Sequence, residues 1–138
     1  MGLMVDTNVF IYFEKRGAPV DLSPWDVSQS AFISSVTAAE LLMGVERANN
    51  QQRRQRRLAF VEAVIAGIGV LDFTLAAARV HAEIGALLAA AGQMIGAHDL
   101  IIAATARCHD LSVLTDNVEE FSRVPGLTVV SFEVGDAS

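Results

Sequence analysis

Residues 3–13, Leu-Met-Val-Asp6-Thr7-Asn8-Val-Phe-Ile-Tyr-Phe, place one carboxylate between two apolar runs. The first run, with Gly2, reads as a short buried strand. The second predicts a helix from Thr7 to about Glu14. Asp6 stands at the junction, where a side-chain oxygen can cap the helix or hold a metal ion. What the rest of the chain brings to the same place decides between the two.

The alternation continues outward. "AFISSV" (residues 31–36) reads as a second strand, and "TAAELLMGVERA" (residues 37–48) has helical composition that Leu58 to Ile65 resumes after a run of arginines. "GVLDF" (69–73) is a third strand, Leu75 to Ala90 an alanine-rich helix and "HDLIIAATARC" (98–108) another helix. "LSVLT" (111–115) and "LTVVSF" (127–132) complete the set of strands. Between the first two units, "GAPVDLSPWD" (17–26) is a breaker-rich loop in which Ser23-Pro24 can open a short helix. Strands alternating with helices predict βαβ units, and near-continuous apolar strands predict a sheet covered on both faces. The expected fold class is α/β: a three-layer α/β/α sandwich on a central parallel sheet of about five strands, with residues 1–138 as one domain.

Composition bounds the function classes. At 138 residues the chain can build one sizeable core. Hydrophobic residues make up 52% and charged residues 19%, a balance that leaves apolar surface for a partner. One cysteine, Cys108, excludes an internal disulfide and favours a reducing compartment, so a cytoplasmic protein is expected. The longest uncharged stretch, Ile84 to Ala97, is interrupted by glycines and falls short of a membrane span. Net charge is 10 − 16 = −6, against the basic excess usual in nucleic-acid binders. The arginines are concentrated, however: Arg47, Arg53, Arg54, Arg56 and Arg57 fall within "RANNQQRRQRR", either a solvated helix face or a patch for phosphates.

In an open parallel sheet, ligands bind beyond the carboxyl ends of the strands. Four acids map to that rim. Asp6 ends the first strand, Glu40 lies in the first turn of the helix after the second, Asp99 begins the "LIIAATA" helix, and Asp116 follows the fourth strand. Each has a structural alternative: Asp6 and Asp99 as helix caps, Thr37 to Glu40 as a capping box, and Asp116-Asn117 as turn chemistry. Gathered together, four carboxylates repel one another, and a divalent cation relieves the repulsion. Hard oxygen donors favour Mg2+, with Mn2+ the second choice. The other twelve acids, Glu14, Asp21, Asp26 and Glu46 among them, read as surface charges.

Four segments, "MVDTNVFIYF", "ISSVTAAELLMGVERA", "IGAHDLIIAATA" and "VLTDNVEEFSRVPGL", resemble the defining segments of PIN-domain ribonucleases, and more narrowly the VapC toxins of bacterial toxin–antitoxin pairs. The resemblance runs from Leu3 to about Phe132. It implies that Asp6, Glu40 and Asp99, with Asp116 at a more variable position, form the catalytic and metal-binding set, Thr7 and Asn117 supporting them. It implies a Mg2+-dependent endoribonuclease that cleaves structured RNA, commonly transfer RNA, leaving 5′-phosphate and 3′-hydroxyl ends. It further implies a VapB-like antitoxin helix as partner and a homodimer. Phe10, Ile11, Tyr12 and Phe13, with Leu41, Leu42 and Met43, offer apolar surface for the antitoxin helix. Arg53, Arg54, Arg56 and Arg57 would guide the RNA backbone.

The competing readings are poorer. A phospho-acceptor receiver domain needs a lysine after a late strand, and the single lysine, Lys15, ends the first helix. A non-catalytic partner-binding domain needs all four acids to serve as caps. Gly67-Ile68-Gly69 lacks the context of a dinucleotide loop. No G-x-S-x-G occurs, His81, His98 and His109 are not spaced as a zinc set, and Cys108 has nothing beside it to activate a thiolate.

Overall fold

The computed structural model of the chain describes residues 2–25 and 30–133. Its elements are β1 (Leu3–Val5), α1 (Thr7–Lys15), β2 (Ala31–Ser34), α2 (Ser35–Glu46), α3 (Gln51–Gly67), β3 (Gly69–Leu71), α4 (Leu75–Ala90), α5 (Ala97–Cys108), β4 (Ser112–Thr115), α6 (Val118–Phe121) and β5 (Val129–Ser131). The strands form a single five-stranded sheet in the order β3-β2-β1-β4-β5. Every pairing is parallel.

Side chains alternate across this sheet, as a pleated strand requires. Leu3, Val5, Ile33 and Leu114 face Val9, Phe10 and Phe13 of α1, Leu41 and Val45 of α2, and Val61 and Val64 of α3. Met4 and Val113 face the other way, onto Ile84 and Leu88 of α4, the apolar stripe of α5 and Phe121 of α6. The expected three layers and parallel sheet are therefore present. Phe10 is fully buried between α1 and the sheet. Phe10→Ala should lower the unfolding free energy by about 3–5 kcal/mol, read as a fall in the urea midpoint without a change in slope; a shift under about 1 kcal/mol would place Phe10 outside the core.

Several boundaries differ from expectation for local reasons. The second helix begins at Ser35 rather than Thr37, because the Ser34 hydroxyl accepts from the Val36 amide and caps it. Glu40 consequently lies in the second turn, not the first, and Thr37 is a buried helical residue rather than the head of a capping box. The arginine run opens a separate helix, α3, capped by Asn50 Oδ1 on the Arg53 amide at 2.8 Å. The third strand stops at Leu71, and α6 was not anticipated. Ser23-Pro24 forms a turn, and the rest of the helix expected there, with Asp26, lies outside the described residues. No helix among the described residues is long and apolar enough to cross a membrane.

Candidate active site

The strand order reverses direction between β1 and β4: from β1 the chain winds outward to β2 and β3, then returns to place β4 on the other side. A crevice beyond the carboxyl ends of two such strands is where open α/β sheets bind ligands. Asp6 follows β1 at this crevice, and Asp116 follows β4. The two strand ends are tied together, since the Asp6 amide donates to the Leu114 carbonyl at 2.9 Å and the Thr115 hydroxyl donates to Asp6 Oδ2 at 2.8 Å.

Asp6 caps α1 while lying at this crevice. Its Oδ1 accepts from the Thr7 amide at 2.8 Å, capping α1. It is 3% exposed, a carboxylate at the mouth of the core. Burial pushes its pKa up; the Thr115 and Thr7 hydrogen bonds pull the other way, and the charges of Asp116 and Glu40 push up again. The Thr7 hydroxyl donates to Glu40 Oε1 at 2.6 Å and lies 3.1 Å from Thr37 Oγ1. Thr7 thus holds Asp6 through its backbone and Glu40 through its side chain. The other oxygen of Glu40 lies 3.3 Å from His98 Nδ1. Asp116 is exposed on the rim, accepting from Asn8 Nδ2 at 3.2 Å.

Asp99 belongs to the same group. Its carboxyl is held up at about 7, first by partial burial, then by the charges of Asp6 and Glu120, the hydrogen bond with Glu120, and the charge of Glu40. Three acids thus act electrostatically on the Asp99 carboxyl. The capping alternative fails for Asp99, since α5 starts after Gly96 with no side-chain cap. Asp116 lies at the bend after β4, where the turn alternative still applies, and Asn117 precedes α6 without a side-chain cap.

Glu120 is the residue the sequence reading missed, counted there among surface charges. It is a half-buried member of α6. The Gly96 amide donates to its Oε1 and Asn117 Nδ2 donates to its Oε2 at 2.8 Å. These bonds, the Gly96 amide first, hold its pKa down, and the hydrogen bond with Asp99 and the Arg123 charge add to the effect. The two carboxyls are thus pushed in opposite directions, Asp99 up and Glu120 down. Asn117 holds Glu120 through its side chain, while its amide donates to Thr115 Oγ1 at 2.9 Å. The signal was available: Glu120 lies three residues after Asn117, the residue that precedes one short helix, beside an acid already selected.

The donors fit a hard divalent cation in kind, since all five acids present oxygen and no cysteine is near them. Among the described residues, no three potential ligands already converge on one point. Thr7, Thr115, His98, Gly96 and Asn117 each contact a carboxylate oxygen there. The rim is a crowded set of carboxylates rather than a closed cage, which suits an ion that keeps part of its water shell.

The arginines fall apart into two kinds. Arg54 turns to Glu46 at 3.0 Å, and Arg57 bridges elements, 3.0 Å from Glu14 on α1 and from the Gly44 carbonyl on α2. Arg53 and Arg56 are exposed along α3. Of the apolar candidates, Phe10, Phe13 and Leu41 are core, while Ile11, Leu42 and Met43 are exposed at 37%, 36% and 50%.

The chain is similar to known proteins along most of its length. A family model described as "PIN domain" matches residues 3–127. A relative from Rickettsia felis, "Ribonuclease VapC1", is 38% identical over 136 residues, spanning 99% of this chain and 100% of the relative. The "tRNA(fMet)-specific endonuclease VapC" of Shigella flexneri is 38% identical over 125 residues, 90% of this chain and 92% of its own. Among solved structures, VapBC from Salmonella typhimurium bound to DNA contains a chain that superposes with a TM-score of 0.83 at 34% identity, covering 95% of this chain and 98% of that one. VapBC2 from Rickettsia felis, bound to a DNA fragment from its promoter, gives a TM-score of 0.84 at 26% identity, covering 96% of this chain and 100% of that one.

Proposed function

The chain belongs to the PIN-domain family, among its VapC ribonucleases, and from that premise we propose that it is a metal-dependent endoribonuclease, the toxin of a toxin–antitoxin pair, cleaving structured RNA such as transfer RNA. One observation carries the site assignment: Asp99, at the crevice where the sheet changes direction, is pushed up to about 7 by partial burial and then by the carboxylates of Asp6, Glu120 and Glu40. A fold stabilised for its own sake would disperse that charge.

Asp6, Glu40, Asp99 and Asp116 would hold the cation, Mg2+ in preference to Mn2+, directly or through water, with Glu120 completing the set. Bound there, a divalent ion lowers the pKa of a water and neutralises charge on the phosphate being attacked. The chain's own groups prepare the site. Thr7 and Thr115 keep the buried Asp6 carboxylate hydrogen-bonded, and Thr7 fixes the rotamer of Glu40. Glu120, held ionised by the Gly96 amide, stands beside Asp99 as the group placed to take a proton from attacking water.

The partners follow from the same reading. The similar solved structures are VapBC assemblies, and we infer a VapB-like antitoxin segment as the partner here. The exposed Ile11, Leu42 and Met43 offer it apolar surface beside the site. A second apolar set, with Phe73, Leu75 and Leu87, suits a homodimer. We read residues 1–138 as one PIN domain working in a reducing cytoplasm, where Cys108 stays a free thiol.

Purified protein should cleave total transfer RNA in millimolar magnesium, leaving 5′-phosphate ends, and lose that activity with excess chelator. Cleavage that persists in chelator would remove the metal from the proposal. Absence of cleavage on any structured RNA would remove the nuclease.

A further inference from the structure

We propose that Arg123 is a positioning residue for the reaction: it grips the loop in front of α5, and so sets the Gly96 amide on Glu120 and the start of the helix that carries Asp99. The inference rests on the nuclease reading above and adds a residue that the reading does not use.

Asp99 lies in the first turn of α5, which starts after Gly96 with no side-chain cap. The Gly96 carbonyl accepts from the Leu100 amide at 2.9 Å, so the first turn and its carboxylate follow wherever Gly96 sits. The connection from α4 turns at Gly92, where a φ of 66° favours glycine. The Gln93 amide still returns to the Leu88 carbonyl at 2.8 Å. Residues 94–96 have then left α4 and not yet entered α5. Ile95 is anchored in the core, while Met94 is half exposed.

Two side chains, three residues apart in sequence, hold this stretch by its backbone. Glu120 accepts from the Gly96 amide. Arg123, in the turn after α6, donates from Nη1 to the Met94 carbonyl at 3.1 Å. The segment that presents them is firmly seated, with Phe121 fully buried and Val124 buried as well. Glu120 is itself pinned, since Asn117 Nδ2 donates to its second oxygen at 2.8 Å. It cannot follow a loop that drifts away. The Arg123 bond keeps the loop where the pinned carboxylate can take its amide.

Arg123 also makes a surface ion pair with Glu119 at 2.8 Å. Exposed pairs of this kind contribute little to stability, but this one aims the guanidinium. Nε and Nη2 both meet one Glu119 oxygen, at 3.3 and 2.8 Å, and Nη1 is left directed at Met94. Each of the three nitrogens has a partner, so Arg123 is poorly placed to bind a substrate phosphate. Its effect should fall on turnover rather than on substrate binding.

Amide hydrogen exchange on the metal-free full chain, together with steady-state cleavage of transfer RNA, tests this. Arg123→Met keeps the aliphatic stem and removes the donors. The Gly96 amide should exchange about tenfold faster in this variant, with the amides of β1 and α2 unchanged. Its kcat should fall about tenfold, with KM within about twofold of wild type. Glu119→Ala removes the ion pair but leaves the Met94 bond, and should keep kcat within about twofold. In that background Arg123→Lys retains a donor for the Met94 carbonyl. It should exceed Arg123→Met in both turnover and Gly96 protection, and it replaces Arg123→Met if that variant does not fold. Unchanged Gly96 exchange in Arg123→Met overturns the proposal. So does faster exchange along the whole chain, which would make Arg123 a general stabiliser. A raised KM at constant kcat would make it a phosphate contact, and a Glu119→Ala variant as impaired as Arg123→Met would reduce it to the ion pair. A wild type that cleaves no RNA would sink the nuclease reading, leaving the exchange rates to decide whether Arg123 holds the loop.

Discussion

Asp99→Asn is expected to reduce cleavage of transfer RNA by about a thousandfold while making the metal-free protein more stable above neutral pH. The activity loss follows from removing one charge of the proposed cation-binding set, where several kcal/mol of charge stabilisation are at stake. The stability gain follows from linkage. Asp99 titrates at about 7 in the folded chain against 3.8 in the unfolded reference. Between those values the folded protein holds a proton that the unfolded chain has released, so stability falls as pH rises from about 4 to about 7 and remains low above it. Asparagine carries no such penalty. After allowance for the partial exposure of the group, the variant should exceed wild type by about 1–2 kcal/mol at pH 8 and by nothing at pH 4. Urea titrations at the two pH values, with and without magnesium, measure it, and magnesium should narrow the gap by stabilising wild type more. A pH-independent difference would mean that Asp99 does not share the rim with the other acids. Full cleavage by the variant would defeat the catalytic assignment.

Glu120→Gln should reduce cleavage by about a hundredfold, the scale of a lost proton acceptor, with little change in folding. Glutamine retains an oxygen for the Gly96 amide, so the loop before α5 should stay in place. What changes is the charge beside Asp99: with a neutral neighbour, Asp99 loses one of the charges that hold its pKa up. The pH dependence of metal-free stability should then flatten towards acid pH in the variant. A variant with wild-type cleavage and an unaltered stability profile would return Glu120 to the surface charges, where composition alone had put it.

The contrast between these two acids marks what the sequence could convey. The first strand, Asp6 and the helix behind it were legible because apolar runs flank a single polar junction. The parallel sheet was legible because its strands are apolar on both faces. Glu40 was found for its place after a strand although its helix boundary was misread: Val36 and Thr37 are β-branched and prolonged the strand signal, while Ser34 acts as the cap. Glu120 escaped because α6 has four residues, too few to show a period. Its neighbour Glu119 pairs with Arg123 at 2.8 Å in the ordinary surface manner, and the two glutamates look alike in one dimension. The division of labour among the arginines was equally hidden, since it depends on which carboxylates of α1 and α2 come within reach of α3.

Asp6 does two jobs with one carboxylate, capping α1 and fastening the ends of β1 and β4. Mutations that silence the activity are therefore unequal in their collateral effects. A change at Asp6 removes a structural clasp along with the chemistry, whereas a change at Asp99 relieves crowding. Cells selected to survive this protein should accumulate full-length, well-expressed inactive alleles at Asp99, and poorly accumulating ones at Asp6.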